Sequence, residues 1–170
     1  MTHPAWRKQA AATMVEAQLF LDDFAIGQSF SGPARVLDDA AFRKFAELTG
    51  DAHPIHYDEE YAARSKFGAR VAHGLLVSAM SALGAMPLSA RLEEAMVAFL
   101  GQCFTFVAPV LIGDAVQAHF TVESIEAAPG RSSGSVKFAV VLTNQRNQTV
   151  AEGTHFYMLR RRLPAGDGRH

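Results

Sequence analysis

The second half of the chain alternates apolar and polar residues with a period of two. In Val116–Val122 the apolar side chains occupy every second position, and the segment from Val136 to Leu142 repeats this pattern. Such alternation is typical of strands with one buried face. Turn signals separate the segments at Gly113-Asp114, at Pro129-Gly130 and in the polar stretch from Asn144 to Gln148. The pattern therefore predicts four or so long antiparallel strands in this half.

A short strand and one amphipathic helix are predicted before residue 51. The segment Phe30–Leu37 is typical of a strand that Gly32 and Pro33 interrupt. A helix follows, with Asp38 or Asp39 as its N-cap and Gly50 as its stop signal. Its apolar residues at helical spacing are Phe42, Phe45, Ala46 and Leu48.

The segment Asp51–Tyr57, with the sequence DAHPIHY, is predicted to be a loop. Pro54 disfavours helix at its own position and at His53 before it. Asp58 can then cap a second short helix, whose pattern Gly68 breaks.

The longest uncharged run extends from Val71 to Ala90. Its length would allow a membrane span, but it contains His73, three serines, two glycines and Pro87. We therefore predict a long central helix, apolar all round, that opens at His73-Gly74 and closes before Pro87. Together the elements predict an α+β domain in which a curved antiparallel sheet wraps round this apolar helix.

Composition and charge exclude several function classes. The chain has 170 residues, 49% of them hydrophobic, and a formal net charge of −1. This size fits one domain, and the balanced charge provides no global field for a nucleic acid. The single cysteine, Cys103, excludes an intrachain disulfide framework and is expected to be a small packed residue. Because Glu16 and Gln18 interrupt the first apolar stretch, we expect a soluble, cytoplasmic protein without membrane insertion.

Residues that can transfer protons are concentrated in the middle of the chain. Asp51, His53 and His56 lie within six residues of one another in a segment that a proline bends. A carboxylate with a reference pKa of about 3.9 beside an imidazole of about 6.5 can hold and deprotonate a water near neutral pH. His73-Gly74 opens the uncharged helix, where free N–H groups stabilise negative charge on an oxygen. These groups suffice to add water to, or remove it from, a double bond conjugated to a carbonyl.

A metal site is an alternative interpretation of the same side chains. Asp51, His53, His56 and His73 could together bind Zn²⁺ or Fe²⁺. Zinc motifs of this kind place two histidines four residues apart on a helix, and Pro54 opposes a helix here. We therefore expect no metal, and Asp51 and His56 could also be purely structural residues of the turn.

A longer motif contains these residues. The segment FAELTGDAHPIHYDEEYAARSKFGARVAHGLLVSAM resembles the hydratase motif of the MaoC-like dehydratases, or (R)-specific enoyl-CoA hydratases, which have the hot-dog fold. Its matching positions include Gly50-Asp51, Pro54-Ile55-His56, Asp58, Tyr61-Ala62, Phe67-Gly68 and Ala72-His73-Gly74. Phe106–Val110 and Gly113-Asp114 resemble the strand and turn that follow the helix in this family. A motif spread over so many positions is far more specific than a short one.

The resemblance implies a hot-dog domain over residues 21–160 with an overhanging motif loop, an N-terminal extension over 1–20, and a disordered basic tail over 161–170. It implies that Asp51 and His56 activate a water and move the proton at C2, and that the backbone N–H of Gly74 binds the thioester oxygen. The reaction would convert a trans-2-enoyl-CoA to an (R)-3-hydroxyacyl-CoA, or the reverse, without a metal or redox cofactor. The implied partners are the acyl-CoA substrate and further copies of the chain, in a homodimer or larger assembly.

Four further residues are candidates for supporting roles. His53 stands where many members of the family have Asn, and we expect it to form hydrogen bonds within its own loop. His73 is expected to order the loop or the helix start, and Ser78 and Ser81 to support the site or to pack. A hot-dog acyl-CoA thioesterase and a non-catalytic acyl-CoA-binding protein remain the alternative functions, because the fold alone does not decide the chemistry.

Overall fold

The computed structural model describes residues 17–162. Four helices and six strands form its framework. They are β1 (Ser29–Ser31), β2 (Arg35–Val36), α1 (Asp39–Thr49), α2 (Pro54–Tyr57), α3 (Glu59–Ala63), α4 (Gly74–Ala79), β3 (Met96–Phe106), β4 (Ala115–Glu126), β5 (Ser133–Asn144) and β6 (Thr149–Arg160). Short 3₁₀ turns lie at Leu21–Asp23, Leu83–Ala85 and Pro87–Leu92. Most of the predicted N-terminal extension and tail, residues 1–16 and 163–170, lies outside the described residues.

The strands form one antiparallel sheet in the order β1-β4-β5-β6-β3, and β2 also pairs with β4. The four long strands predicted from the period-two pattern are β3 to β6, which confirms that prediction. In β4 and β5 the alternating apolar residues are buried, and they form one face of the core. Phe42 of α1 and Leu76 and Val77 of α4 pack in the same core. The α+β class is therefore confirmed.

Helix α1 has the predicted boundaries, and its end determines where the next residues lie. Asp38 caps it by accepting a hydrogen bond from the Ala41 N–H at 2.9 Å. Gly50 ends it in the left-handed conformation, with φ 75°, and donates to the Ala46 carbonyl at 2.7 Å. Only glycine adopts this conformation without cost. The chain therefore reverses sharply just before Asp51.

The loop predicted over 51–57 is shorter than expected. Pro54–Tyr57 form one helical turn, α2, because Pro54 occupies the first helical position, where a missing N–H costs no hydrogen bond. His53 is the N-cap of this turn, and its Nδ1 accepts from the Ile55 N–H at 3.3 Å. The prediction was wrong because proline opposes the interior of a helix and not its start.

The long central helix predicted over the uncharged run was also wrong in length. Only Gly74–Ala79 is α-helical, and the N–H groups of Met80 and Ser81 then bond to carbonyls three residues earlier. The Ser81 hydroxyl donates to the Ser78 carbonyl at 2.6 Å. It thereby competes for a carbonyl that a continuing helix would use, and 3₁₀ turns follow on either side of Pro87. Within residues 17–162 no helix is long and apolar enough to cross a membrane.

Cys103 is exposed and not packed as predicted. It lies on β3, which pairs only with β6 among the described strands and so forms an edge of the sheet. Alternation along the chain does not reveal which strand stands at an edge, and an edge strand leaves more of its side chains uncovered.

The first residues of the predicted basic tail contact the domain. The Arg161 guanidinium pairs with Asp22 at 2.8 Å, and Arg162 pairs with Asp23. The main-chain N–H of Arg162 also donates to the Asp22 carboxylate at 2.9 Å. These contacts hold the end of β6 against the Leu21–Asp23 turn.

Candidate active site

Asp51 is placed at the site by the end of α1. Its N–H donates to the Thr49 hydroxyl at 3.2 Å, and that hydroxyl donates to the Phe45 carbonyl at 2.7 Å. One carboxylate oxygen is 3.4 Å from the His53 N–H. The side chain is exposed, so its carboxylate is accessible to a substrate or a water.

His56 lies on α2 and is held by the segment before α4. Its Nδ1 lies 2.7 Å from the Val71 carbonyl oxygen. Because a carbonyl can only accept a hydrogen bond, Nδ1 carries the proton and Nε2 presents its lone pair. Val71 is itself fixed, since its N–H donates to Ile55 and it forms an isolated bridge with Leu111. This hydrogen bond orients the ring of His56 so that Nε2 is the nitrogen that can act as a base.

His73 lies beneath His56 and is only 3% exposed. The two rings stack with centroids 3.7 Å apart and planes 27° apart. Burial, and the charge of His56 when it is protonated, lower the pKa of His73, although the Asp51 main chain and carboxylate oppose this shift. Burial therefore favours the neutral form of His73.

Asp51, His56 and His73 together form what we call the Asp–His cluster. One carboxylate oxygen and one ring nitrogen from each histidine lie within 4.8 Å of one another. A zinc ion needs nitrogens about 2.0–2.1 Å away, with lone pairs that converge on it. Hydrogen bonds of about 2.8 Å from these groups to a water are less demanding in distance and direction than bonds to a metal ion.

Gly74 begins α4 at the wall of a pocket of about 430 Å³. The N-cap residue His73 makes no side-chain hydrogen bond to the helix, and the first N–H groups of a helix have no acceptor within it. A Cβ at Gly74 would lie 3.1 Å from two atoms of the Phe106 ring. The pocket is otherwise lined mainly by apolar residues, with Lys66 also in its wall.

The structure brings Asp51, His56 and His73 together, and Gly74 follows His73 in the wall of the pocket, whereas the two serines lie elsewhere. Ser78 donates to the Leu75 carbonyl at 3.0 Å. Ser81 lies in the core, 3.1 Å from Nε2 of His155. Neither serine is in the wall of the pocket that Gly74 lines, and Asp51 and His56 are not in that wall either.

His53 lies beside the cluster. Its Nδ1 is engaged within its own segment, by the Ile55 N–H, and its ring centroid lies 6.1 Å from that of His56. Its expected role within the loop thus fits this geometry.

Two residues that the sequence did not single out are the partly buried Tyr57 and the buried His155. Tyr57 directly follows His56 and bonds to His73, with its Oη 2.9 Å from Nε2. His155 lies on β6 at the same side of the strand as Tyr157 and Leu159, which are buried. The period-two rule, applied to β6, would have placed His155 in the core. Burial lowers the pKa of His155 to about 4 and raises the pKa of Tyr157 to about 12.

Comparison with known proteins identifies the family. The profile of the MaoC like domain matches residues 23–152. The chain belongs to the MaoC-like dehydratase family. The family that the motif segment resembles is thereby confirmed as the family of this chain.

Two relatives carry named activities. The chain is 44% identical over 87 residues to a 3-hydroxybutyryl-CoA dehydratase of Methylorubrum extorquens, an alignment that covers 51% of this chain and 52% of that protein. It is 36% identical over 107 residues to an (R)-specific enoyl-CoA hydratase of Rhodospirillum rubrum, covering 62% and 71%. The chain thus spans about half the length of the first relative. Both named activities are those of hydro-lyases.

Solved structures confirm the hot-dog fold. A MaoC-like dehydratase from Rhodospirillum rubrum superposes with a TM-score of 0.74 at 30% identity, covering 86% of this chain and 99% of that one. A Mycobacterium tuberculosis protein described as a double hotdog fold superposes with a TM-score of 0.70 at 18% identity, covering 90% and 46%. The fold of this MaoC-like protein is therefore the one that the motif implied.

Proposed function

We propose that the protein catalyses the (R)-specific hydration of a trans-2-enoyl-CoA to an (R)-3-hydroxyacyl-CoA, and the reverse dehydration. One observation carries the proposal: the Asp51 carboxylate and a His56 ring nitrogen lie within 4.8 Å of a ring nitrogen of His73, the N-cap of α4, and the first residue of that helix, Gly74, lines a pocket. The names of the two relatives support the same reaction type.

The proposed chemistry assigns one role to each group. Asp51 and His56 hold a water, and a base of the pair takes one of its protons while the oxygen bonds to C3 of the enoyl group. The C2–C3 π electrons move toward the thioester, and the Gly74 N–H stabilises the negative charge on its oxygen. The proton is then returned to C2. In dehydration the same steps run backwards, so no oxidant, reductant or metal is required.

The exposed edge of the sheet supports the proposed homodimer. Val97, Phe99 and Leu100 of β3 are each about half exposed, and Leu75 of α4 is 70% exposed. An apolar open edge favours pairing with another strand. In a two-fold symmetric dimer the same edge meets itself, and the two copies of β3 run antiparallel. A cytoplasmic location stays a prediction from the sequence.

The experiment that tests the proposed function follows crotonyl-CoA spectroscopically. The purified protein should reduce the enoyl-thioester absorbance, and Asp51→Asn and His56→Ala should each lower the rate by about 100-fold or more. His119→Ala is a matched control, because His119 bonds to Ser31 and Thr143 on the other side of β4 from the buried Phe120.

Two further arms of this experiment separate the alternatives. Release of free thiol without hydration would replace the proposal with a thioesterase. A hydration rate that exhaustive chelation abolishes, and that an added divalent metal restores, would contradict the metal-free reaction. No turnover of short, medium or branched enoyl-CoAs would leave a binding protein in place of an enzyme.

A further inference from the structure

His73 lies within the Asp–His cluster, and the proposed mechanism does not use its side chain. Its ring is buried and stacks on that of His56 at 3.7 Å. Its Nε2 is 2.9 Å from the hydroxyl of Tyr57. A buried imidazole in contact with a base influences that base through its protonation state and its tautomer.

The hydrogen bonds of Tyr57 determine the tautomer of His73. The Tyr57 Oη also lies 3.0 Å from the Phe42 carbonyl oxygen. Since that carbonyl can only accept, Tyr57 donates its single proton there and accepts from His73. His73 therefore carries its proton on Nε2. Burial and the charge of Asp51 raise the pKa of Tyr57, so this hydroxyl keeps its proton.

This assignment leaves Nδ1 of His73 as a lone-pair acceptor. The atom is buried and has no hydrogen-bond partner among residues 17–162. His53 is an N-cap histidine like His73, but its Nδ1 accepts a hydrogen bond from the N–H of Ile55 in its helix. A buried acceptor without a partner is costly. The free-energy cost of this buried acceptor is lower where a ligand or a water donates a hydrogen bond to it.

We propose that Tyr57 and His73 are positioning residues: Tyr57 fixes His73 as the Nε2–H tautomer, so that Nδ1 accepts one hydrogen of the reacting water. A water has two hydrogens, and holding one on His73 leaves the other for the Asp51–His56 pair. The oxygen lone pairs then face the substrate. This inference rests on the proposed hydration reaction and adds two residues to it.

Tyr57→Phe is the main test, and Tyr61→Phe is its matched control. Tyr61 lies nearby on α3, with its ring centroid 5.9 Å from that of His53, and the residue is 40% exposed. Tyr57→Phe should lower kcat about tenfold with KM changed less than about twofold, because orientation is lost and not substrate binding. Tyr61→Phe should keep the wild-type kcat. Equal kcat values in the two variants, or a loss confined to KM, would overturn the inference.

Substitutions of His73 provide a second test. Asn places an acceptor oxygen near the position of Nδ1, whereas Leu places none. His73→Leu should lower kcat by about 100-fold, and His73→Asn should recover about tenfold of that loss. Equal activity of the two variants would contradict a role for the Nδ1 lone pair.

A spectroscopic measurement on the unmodified protein needs no variant to fold. The ¹⁵N–¹H correlations of a histidine side chain distinguish the Nε2–H tautomer from the Nδ1–H tautomer. His73 should show only the Nε2–H pattern at pH 7, and an Nδ1–H pattern would overturn the inference. A wild-type protein that hydrates no enoyl-CoA would refute the proposed function instead, so the two failures are distinguishable.

Discussion

Protonation of His155 should destabilise the fold below about pH 6.5. This side chain is 2% exposed and links the turn that follows α4 to the sheet. The Ser81 hydroxyl donates to the Ser78 carbonyl, so its oxygen accepts from Nε2–H of His155 at 3.1 Å. Nδ1 of His155 then accepts from the Tyr157 hydroxyl at 3.0 Å. Every polar atom of this network is bonded while His155 is neutral, and a second ring proton on Nδ1 would displace the hydroxyl proton that Tyr157 donates there.

The magnitude follows from the two pKa values of this group. Burial lowers the pKa of His155 to about 4 in the folded protein, against about 6.5 in an unfolded chain. Between these values the unfolded chain binds a proton that the folded protein does not, so the free energy of unfolding falls as the pH decreases. At 1.36 kcal/mol per pKa unit, the loss approaches about 3 kcal/mol at pH 4. That is a large part of the 5–15 kcal/mol typical of a domain.

Denaturant unfolding at pH 7.5 and near pH 4 measures this loss. Between the two pH values, the free energy of unfolding of the wild type should fall by about 3 kcal/mol more than that of His155→Leu, in which the titrating group is absent. The control is His119→Leu, which should keep the wild-type pH dependence, because His119 is only partly buried on the other side of β4. A direct NMR titration of His155 serves if the Leu variant does not fold. A pKa near 6.5, or equal pH dependence in wild type and His155→Leu, would refute the reasoning.

Two other substitutions test the pocket and the sheet edge. Gly74→Ala places a methyl group 3.1 Å from the Phe106 ring, so kcat/KM should fall about tenfold. Phe106→Leu in the same chain should restore part of this loss. Steady-state kinetics that show no loss of kcat/KM in the single variant would contradict a tight contact. Leu100→Lys introduces a charge at the β3 edge and should produce a monomer in analytical ultracentrifugation. Ile26→Lys, at a site 72% exposed and away from β3, should leave the dimer intact, and a dimeric Leu100→Lys protein would exclude that edge as the interface.

Local rules predicted the elements whose causes lie within a few residues of one another. Asp38 and Asp58 cap helices by bonding to N–H groups three residues ahead. Gly50 ends α1 as expected, and the alternating residues of β4 and β5 are buried in register. The pairing of Asp51 with His56 was predicted from a bend in the chain and from the family motif. Such features depend on local geometry, which the sequence specifies directly.

The features that were missed depend on contacts between distant residues. The uncharged run breaks after α4, where the Ser81 hydroxyl donates to the Ser78 carbonyl while its oxygen accepts from His155, 74 residues further along the chain. The exposure of Cys103 follows from the strand order, since β3 is added to β6 at the edge of the sheet. The proposed role of Tyr57 depends on the hydrogen bonds of its hydroxyl to Phe42 and His73, which lie 15 and 16 residues away in the chain. Neither the spacing of residues nor the composition of the chain predicts these contacts.

The configuration of the product tests the central claim most directly. Crotonyl-CoA is incubated with the protein, and the 3-hydroxybutyryl-CoA formed is oxidised by dehydrogenases specific for the (R) or the (S) isomer. We predict that only the (R)-specific enzyme reduces its nicotinamide cofactor, and that Asp51→Asn yields no product for either enzyme. An (S) product, an equal mixture of isomers, or an Asp51→Asn protein with undiminished (R) product would contradict the account.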